Sequence, residues 1–238
     1  MKHTLLSALL AFAAGAIQAA TGTAELLAAC NADTFETRLA PEADPAPAAQ
    51  AIWLDAQRLR WPAAPADAAR FRLVAGTQRI ALAKQADGTL RAAIDRTRAA
   101  ALLRGPLRVV AEDRSGRVLA STATQIGLAL DALHARDEAL PDLGVQVSAA
   151  GNAFRLWAPT AQSVHACLYD DASAPASRVL RLHRARHGGS WFGMHARDLS
   201  GGSYLYLVDV WVPGIGLVRN RVTDPYSISL STDSARSW

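Results

Sequence analysis

An all-β protein, two consecutive Ig-like β-sandwich domains behind a signal peptide, is what three features of the sequence predict. Residues 154–169 and 203–231 place apolar side chains with a period of two, broken by turns that contain Pro or Gly. Residues 50–125 hold short apolar runs separated by Asp87-Gly88, Gly105-Pro106 and Ser115-Gly116. The first twenty residues run from charged to apolar to small, the order of an export signal.

Taken in order, Lys2 and His3 precede an apolar stretch from Leu5 to Ala20, and small residues surround Ala16, Ala19 and Ala20. Cleavage near Ala19 or Ala20 follows, because the run is short for a membrane span and has no stop-transfer flank. The protein is therefore expected to be secreted or periplasmic. Leu27-Ala28-Ala29-Cys30 also spells a lipobox, which makes Cys30 a candidate for lipidation and the cell envelope the alternative location. Glu25 stands against it, a charge where the apolar region should run straight into the box. Membrane contact is expected only through that lipid. The other cysteine is Cys167, which reads as a small buried residue of its strand, or as a partner for Cys30 across a loop long enough to give substantial stabilisation.

Thr21 to Ala49 is an Ala- and Pro-rich lead-in, and Pro41, Pro45 and Pro47 make its latter part extended rather than a packed element. Ile52-Trp53-Leu54 and Leu59-Arg60-Trp61 flank Asp55-Ala56-Gln57 as a hairpin, with Trp53 and Trp61 as a cross-strand pair. Strands at Phe71–Val74, Ile80–Ala83, Leu90–Ile94, Leu107–Ala111 and Val118–Thr122 complete a first sandwich over 50–127. Leu128, Leu130, Leu133 and Leu140 then sit at mixed helical spacing before Pro141, which predicts a short helix or linker over 128–142. The second sandwich occupies 143–238. Its longest strand carries Tyr204, Tyr206, Val208 and Val210 on one face and Leu205, Leu207, Asp209 and Trp211 on the other. A strand that is apolar on both faces is expected to be covered on both, one of them by another domain.

Composition narrows the function. Half the residues are apolar, and 25 Lys and Arg against 21 Asp and Glu leave a net charge of +4. Lys2 and Lys84 are the only lysines, and the arginines are scattered singly, without the basic stripe and interleaved aromatics of a nucleic-acid groove. The six histidines are dispersed, so no metal site and no cofactor are expected. No catalytic residue is assigned. Asp170-Asp171 point to opposite faces and cannot act as a carboxylate pair, and Asp209 reads as a partner for Arg219 or Arg221. Sugar rings stack on flat aromatics, so the tryptophans are the binding candidates. Trp191, beside the polar loop 187–190, comes first, and Trp157 and Trp211 follow, each with a core or interface role as its alternative.

The wording of the second half carries a resemblance. FRLWAPTAQSV at 154–164, GSW at 189–191, GGSYLYLVDV at 201–210 and VTDPYSISLSTDS at 222–234 occur in order. They resemble the N-terminal sandwich, carbohydrate-binding module family 48, of pullulanase-type starch-debranching enzymes of glycoside hydrolase family 13. AIWLDAQRLRWP at 51–62 resembles the accessory domain that precedes this module. The resemblance implies α-glucan (starch, glycogen or pullulan) as partner and a catalytic barrel C-terminal to Trp238. It also implies a reaction, α-1,6 hydrolysis, whose catalytic motifs lie outside these residues. Asp224 and Tyr226, in the DPYS word, are then expected at the interface with the barrel. The alternative is a stand-alone periplasmic β-sandwich scaffold.

Overall fold

The computed structural model describes residues 22–43, 48–137, 140–148, 150–171, 173–186, 188–231 and 236–237. The expected signal peptide lies outside them. The elements are α1 (Thr23–Cys30), β1 (Glu36–Pro41), β2 (Ala51–Trp53), β3 (Arg58–Arg60), β4 (Arg70–Ala75), β5 (Gln78–Lys84), β6 (Leu90–Ala92), α2 (Arg96–Leu102), β7 (Leu107–Glu112) and β8 (Val118–Gln125). They continue as α3 (Gly127–His134), β9 (Gly144–Ser148), β10 (Gly151–Trp157), β11 (Ala161–Tyr169), β12 (Ala176–Arg181), β13 (His183–Arg184), β14 (Ser190–His195), β15 (Ser203–Val212) and β16 (Gly216–Val222). The protein is all-β, as the alternation predicts, with three short helices among the described residues.

The first unit goes one step beyond an open sandwich. Its strands pair in the order β2-β3-β6-β5-β4-β7-β8, and parallel pairing of Ala51 and Ile52 with Thr124 and Gln125 closes the ring. Trp53, Leu59, Leu73 and Val109 fill it and are fully buried. Trp53 faces Leu59 across the hairpin, so the expected Trp53–Trp61 pair does not form; Trp61 sits beyond the ladder and meets Phe71 edge to face at 6.4 Å. Asp95 caps α2 by accepting from the Arg98 amide at 2.7 Å, a start signal that stabilises a helix by about 1 kcal/mol. Arg96 on α2 donates to the Ala132 and Leu133 carbonyls at the end of α3, which ties the linker helix to the ring.

The second unit is a sandwich of a five-stranded sheet, β1-β16-β15-β11-β12, on a four-stranded one, β13-β14-β10-β9. Between them lie Phe154, Leu156, Leu182 and Trp191 from the smaller sheet side and Val164, Ala166, Leu168, Tyr204, Tyr206 and Val208 from the larger. The two faces of β15 divide as the alternation requires. Leu205 and Leu207 point outward with Cys167 and Tyr169, and α1 covers them with Leu26 and Cys30.

The lead-in is therefore not an unpacked segment. Leu26 and Cys30 stand four residues apart on one helical face, and Glu25 lies in the first turn, where a negative charge is favoured. The Tyr169 hydroxyl donates to the Cys30 carbonyl at 2.6 Å, the Asn31 side chain accepts from the Ala176 amide at 2.7 Å, and Cys30 is disulfide-bonded to Cys167 with their Cα atoms 5.7 Å apart. β1 then adds an edge strand to β16, and it approaches so closely that a Cβ on Gly216 would lie 2.1 Å from the Ala40 carbonyl oxygen. The module is thus discontinuous: residues 22–43 complete a sandwich whose remainder begins near 140, and the ring is inserted between. The face expected to wait for another domain is covered by the chain's own first helix.

Beside α1 the same outer face is polar. Arg219 donates two hydrogen bonds to Asp209, at 2.7 and 2.8 Å, and Ser163 adds a third at 2.6 Å, so the expected Asp209–Arg219 pair forms. His165 lies next to them on β11, and among the described residues its Nδ1, though buried, has no hydrogen-bond partner. Burial pushes its pKa below the ordinary value; the Asp209 charge opposes that, and the Arg219 and Arg181 charges reinforce it. The unfolded chain takes up this proton near pH 6.5 and the folded chain resists it, so stability is full above that pH and falls as the pH drops through it. Thermal melts at pH 7.5 and 5.5 are expected to show a lower midpoint at 5.5, with the difference reduced in His165→Gln; an unchanged difference would assign it to other groups.

Candidate functional site

The three candidate tryptophans occupy three different environments. Trp191 lies on β14, pairs with Leu156, and points into the core with 7% of its surface exposed. Its indole nitrogen donates to the Ala158 carbonyl at 3.0 Å, and the Arg184 guanidinium sits 5.6 Å above its ring. Burial pushes the Arg184 pKa down to about 10, with the Arg104 charge adding to the effect. A ring closed in on both sides offers no stacking surface, so Trp191 seals the sandwich and is not a sugar platform.

Trp157 ends β10 and faces outward, 37% exposed. Strand pairing sets Arg155 opposite Phe192 and Ala153 opposite Met194 on that same outer face. Phe192 is 36% and Met194 54% exposed, so Trp157, Phe192 and Met194 form a stripe across two strands, with successive rows about 7 Å apart. Arg155 stands 5.7 Å from the Phe192 ring and is held there by Asp142 at 2.6 Å. The edge of the stripe is fixed by Asp137, just beyond α3. One of its oxygens accepts from the Trp157 indole at 3.1 Å and from the Gly189 amide at 2.6 Å, and lies 3.0 Å from the His134 ring nitrogen. Gly189 is required there, since a Cβ would stand 2.7 Å from Pro159 and 3.0 Å from the indole nitrogen. Asp137, His134 and Phe192 escaped the sequence reading. Phe192 becomes legible only once strand register has turned Trp191 inward, and nothing in the spacing marks Asp137.

Trp211 lies near the end of β15, half-buried, at a cleft of about 270 Å³ between the two units. The sequence places both Trp157 and Trp211 in strands, and β15 delivers Trp211 to the boundary between the units.

The two residues of the DPYS word differ in their surroundings. Asp224 is 3% exposed, accepts from the Tyr204 and Tyr206 hydroxyls at 2.8 and 3.3 Å and from the Tyr226 amide at 2.8 Å, and its own amide donates to the Ser237 hydroxyl. Burial, and then the Asp224 charge, push both tyrosine hydroxyls well above their ordinary pKa. Asp224 is an internal brace closing one end of the sandwich and presents nothing to an interface. Tyr226 stays accessible, and with Leu230 and a fully exposed Ile228 it forms an apolar arm. Cys30, the lipidation candidate, has its sulfur bonded to Cys167, which leaves no thiol for a lipid.

Comparison with known proteins bears on these features. Residues 142–227 match the family model for carbohydrate-binding module 48, the isoamylase N-terminal domain. The chain is 35% identical over 138 residues to a pullulanase of Klebsiella pneumoniae, which covers 57% of this chain and 12% of that protein. It is 32% identical over 139 residues to the chloroplastic pullulanase 1 of Arabidopsis thaliana, covering 58% of this chain and 14% of that protein. The chain thus spans about an eighth of the length of these relatives. Among solved structures, apo pullulanase from K. pneumoniae aligns with a TM-score of 0.72 and 25% identity over 86% of this chain and 25% of its own. A maltotriose complex of the K. pneumoniae enzyme aligns with a TM-score of 0.70 and 26% identity over 81% of this chain and 23% of its own. α1 and β1 precede the matched family segment, so the sandwich reaches beyond it at the N-terminal side. Over residues 142–227 the second unit is thus similar to carbohydrate-binding module 48, and the two units together are similar in fold to part of the pullulanases compared.

Proposed function

We propose that this chain is the non-catalytic N-terminal portion of a secreted α-1,6-debranching glycoside hydrolase, and that it binds or orients α-glucan for a catalytic barrel that follows it. The observation that carries the reading is the outer stripe of Trp157, Phe192 and Met194, left uncovered on a module of a carbohydrate-binding family. A branched polymer needs an open platform, and aromatic rings flanked by a guanidinium and a carboxylate suit the alternating C–H faces and hydroxyls of a glucan. The maltotriose complex of a pullulanase with this fold supports α-glucan as the ligand class. The arm of Tyr226, Ile228 and Leu230 is the surface on which the barrel would seat. The Cys30–Cys167 disulfide supports an oxidising compartment, hence export.

Retention on insoluble starch tests the platform. Phe192→Ala and Trp157→Ala are each expected to lower retention several-fold, and the double variant to abolish it. The melting curve of Phe192→Ala should stay close to the parent's, because Phe192 lies on the solvent face. Full retention by the double variant would refute the reading.

A further inference from the structure

The cleft at Trp211 sits where three pieces of the chain meet. Pro41 and Glu42 come from the end of β1, Trp211 from β15, and Val74, Pro106 and Leu107 from β4 and the start of β7 in the ring. The cleft is largely apolar, about 270 Å³, and lies between two units, the usual place and make-up of a small-molecule site, though slightly below the ~300–1,000 Å³ typical of them. Both units contribute a charged residue to its lining. Arg108 belongs to the ring, and Glu42 to the module, where one of its oxygens accepts from the Gly214 amide at 2.5 Å. That hydrogen bond fixes the carboxylate against the Pro213–Ile215 turn that follows Trp211.

We propose that this cleft is a second glucan site, separate from the open stripe, that takes one or two glucose rings at a chain end. This rests on the reading of the chain as a glucan-binding portion, and it adds a site whose ligand both units hold. The Trp211 indole and the two prolines offer flat apolar surface to the C–H face of a pyranose ring. The Glu42 carboxylate, held in place by the Gly214 amide, accepts from ring hydroxyls. The volume admits a short oligosaccharide end and excludes a coiled polymer. A ligand that touches both walls also holds the ring against the module, so occupancy restricts their relative motion.

Titration of the whole chain with maltotriose, followed by tryptophan fluorescence and by calorimetry, tests this. The expected result is saturable binding in the parent and in Phe192→Ala, weakened about tenfold or more in Trp211→Ala, the scale of one lost aromatic stack. Ala43→Trp, which fills the cleft from its exposed rim without removing a contact, should block binding while the protein stays folded and is retained on starch. Parent-like maltotriose binding in both Trp211→Ala and Ala43→Trp would overturn the proposal. Starch retention with no maltotriose binding in the parent would overturn the cleft and leave the stripe standing, whereas loss of both signals in the parent would remove the glucan reading itself.

Discussion

Reduction of the Cys30–Cys167 disulfide is expected to lower the stability of the module by about 3–5 kcal/mol, an effect comparable with the whole stability of many domains. The bond spans 137 residues and so removes much of the freedom of the unfolded chain, because loop-closure entropy grows with loop length. Its position adds to this. α1 and β1 form the first part of a sandwich whose other strands begin after the entire inserted ring, so without the bond a short helix must find its place across a long chain. An eight-residue helix has little stability of its own and depends on Leu26 and Cys30 packing against Leu205 and Leu207. Losing that cover exposes two leucines that each contribute about 1.5–3 kcal/mol when buried, and it frees the edge of β16. Chemical denaturation with and without reductant, together with Cys30→Ser and Cys167→Ser, measures the effect. A midpoint insensitive to reductant and to both substitutions would mean that the noncovalent contacts of α1 suffice. Deletion of residues 22–43 should go further and yield a module that binds hydrophobic dye, although the family match from 142 to 227 would remain intact.

That discontinuity marks the boundary of what the sequence discloses. The division of β15 into a Tyr204–Tyr206–Val208 face and a Leu205–Leu207 face follows from a strict period of two; a polar Asp209 in an apolar strand also needs a partner in reach, but Arg219 and Arg221 both qualified until strand register set Arg219 opposite it. Which element covers the second face is long-range information, and α1 lies well over a hundred residues away behind prolines that read as a spacer. Ring closure of the first unit rests on two parallel residue pairs, too few to leave a pattern. The tryptophans show the same limit on a smaller scale. Trp157 and Trp191 both flank turns, and strand register alone decides that one faces solvent and the other the core, because a slip of one residue exchanges the faces. Asp224 beneath Tyr204 and Tyr206 was beyond local reading for another reason: its role depends on where the chain turns after β16, which sets it under two tyrosines 20 and 18 residues earlier.

Asp209→Ala is expected to destabilise the module by about 3–5 kcal/mol, far more than the loss of a surface ion pair, because it strands a buried guanidinium. Arg219 is 5% exposed and donates both of its hydrogen bonds at 2.7 and 2.8 Å to this one carboxylate, which also takes the Ser163 hydroxyl. Removing the acid leaves three donors without their acceptor and one positive charge without its counter-charge, on a sheet face where water has little access. The opposite truncation, Arg219→Ala, leaves a buried carboxylate that can take a proton, so its destabilisation should diminish as the pH falls, while that of Asp209→Ala should not. The distinction matters because the pair joins β15 to β16, the strand that carries β1 and therefore the strap. Replacing both residues by apolar ones of similar size, Asp209→Leu with Arg219→Met, is expected to recover most of the stability, since a buried pair taken as a whole contributes little net free energy. Urea unfolding of the two single variants and the double variant, at pH 7.5 and 5, resolves the cycle. If the double variant proves as unstable as Asp209→Ala alone, the pair serves the fold through its geometry, by fixing the register of β15 on β16, and not through the balance of its charges.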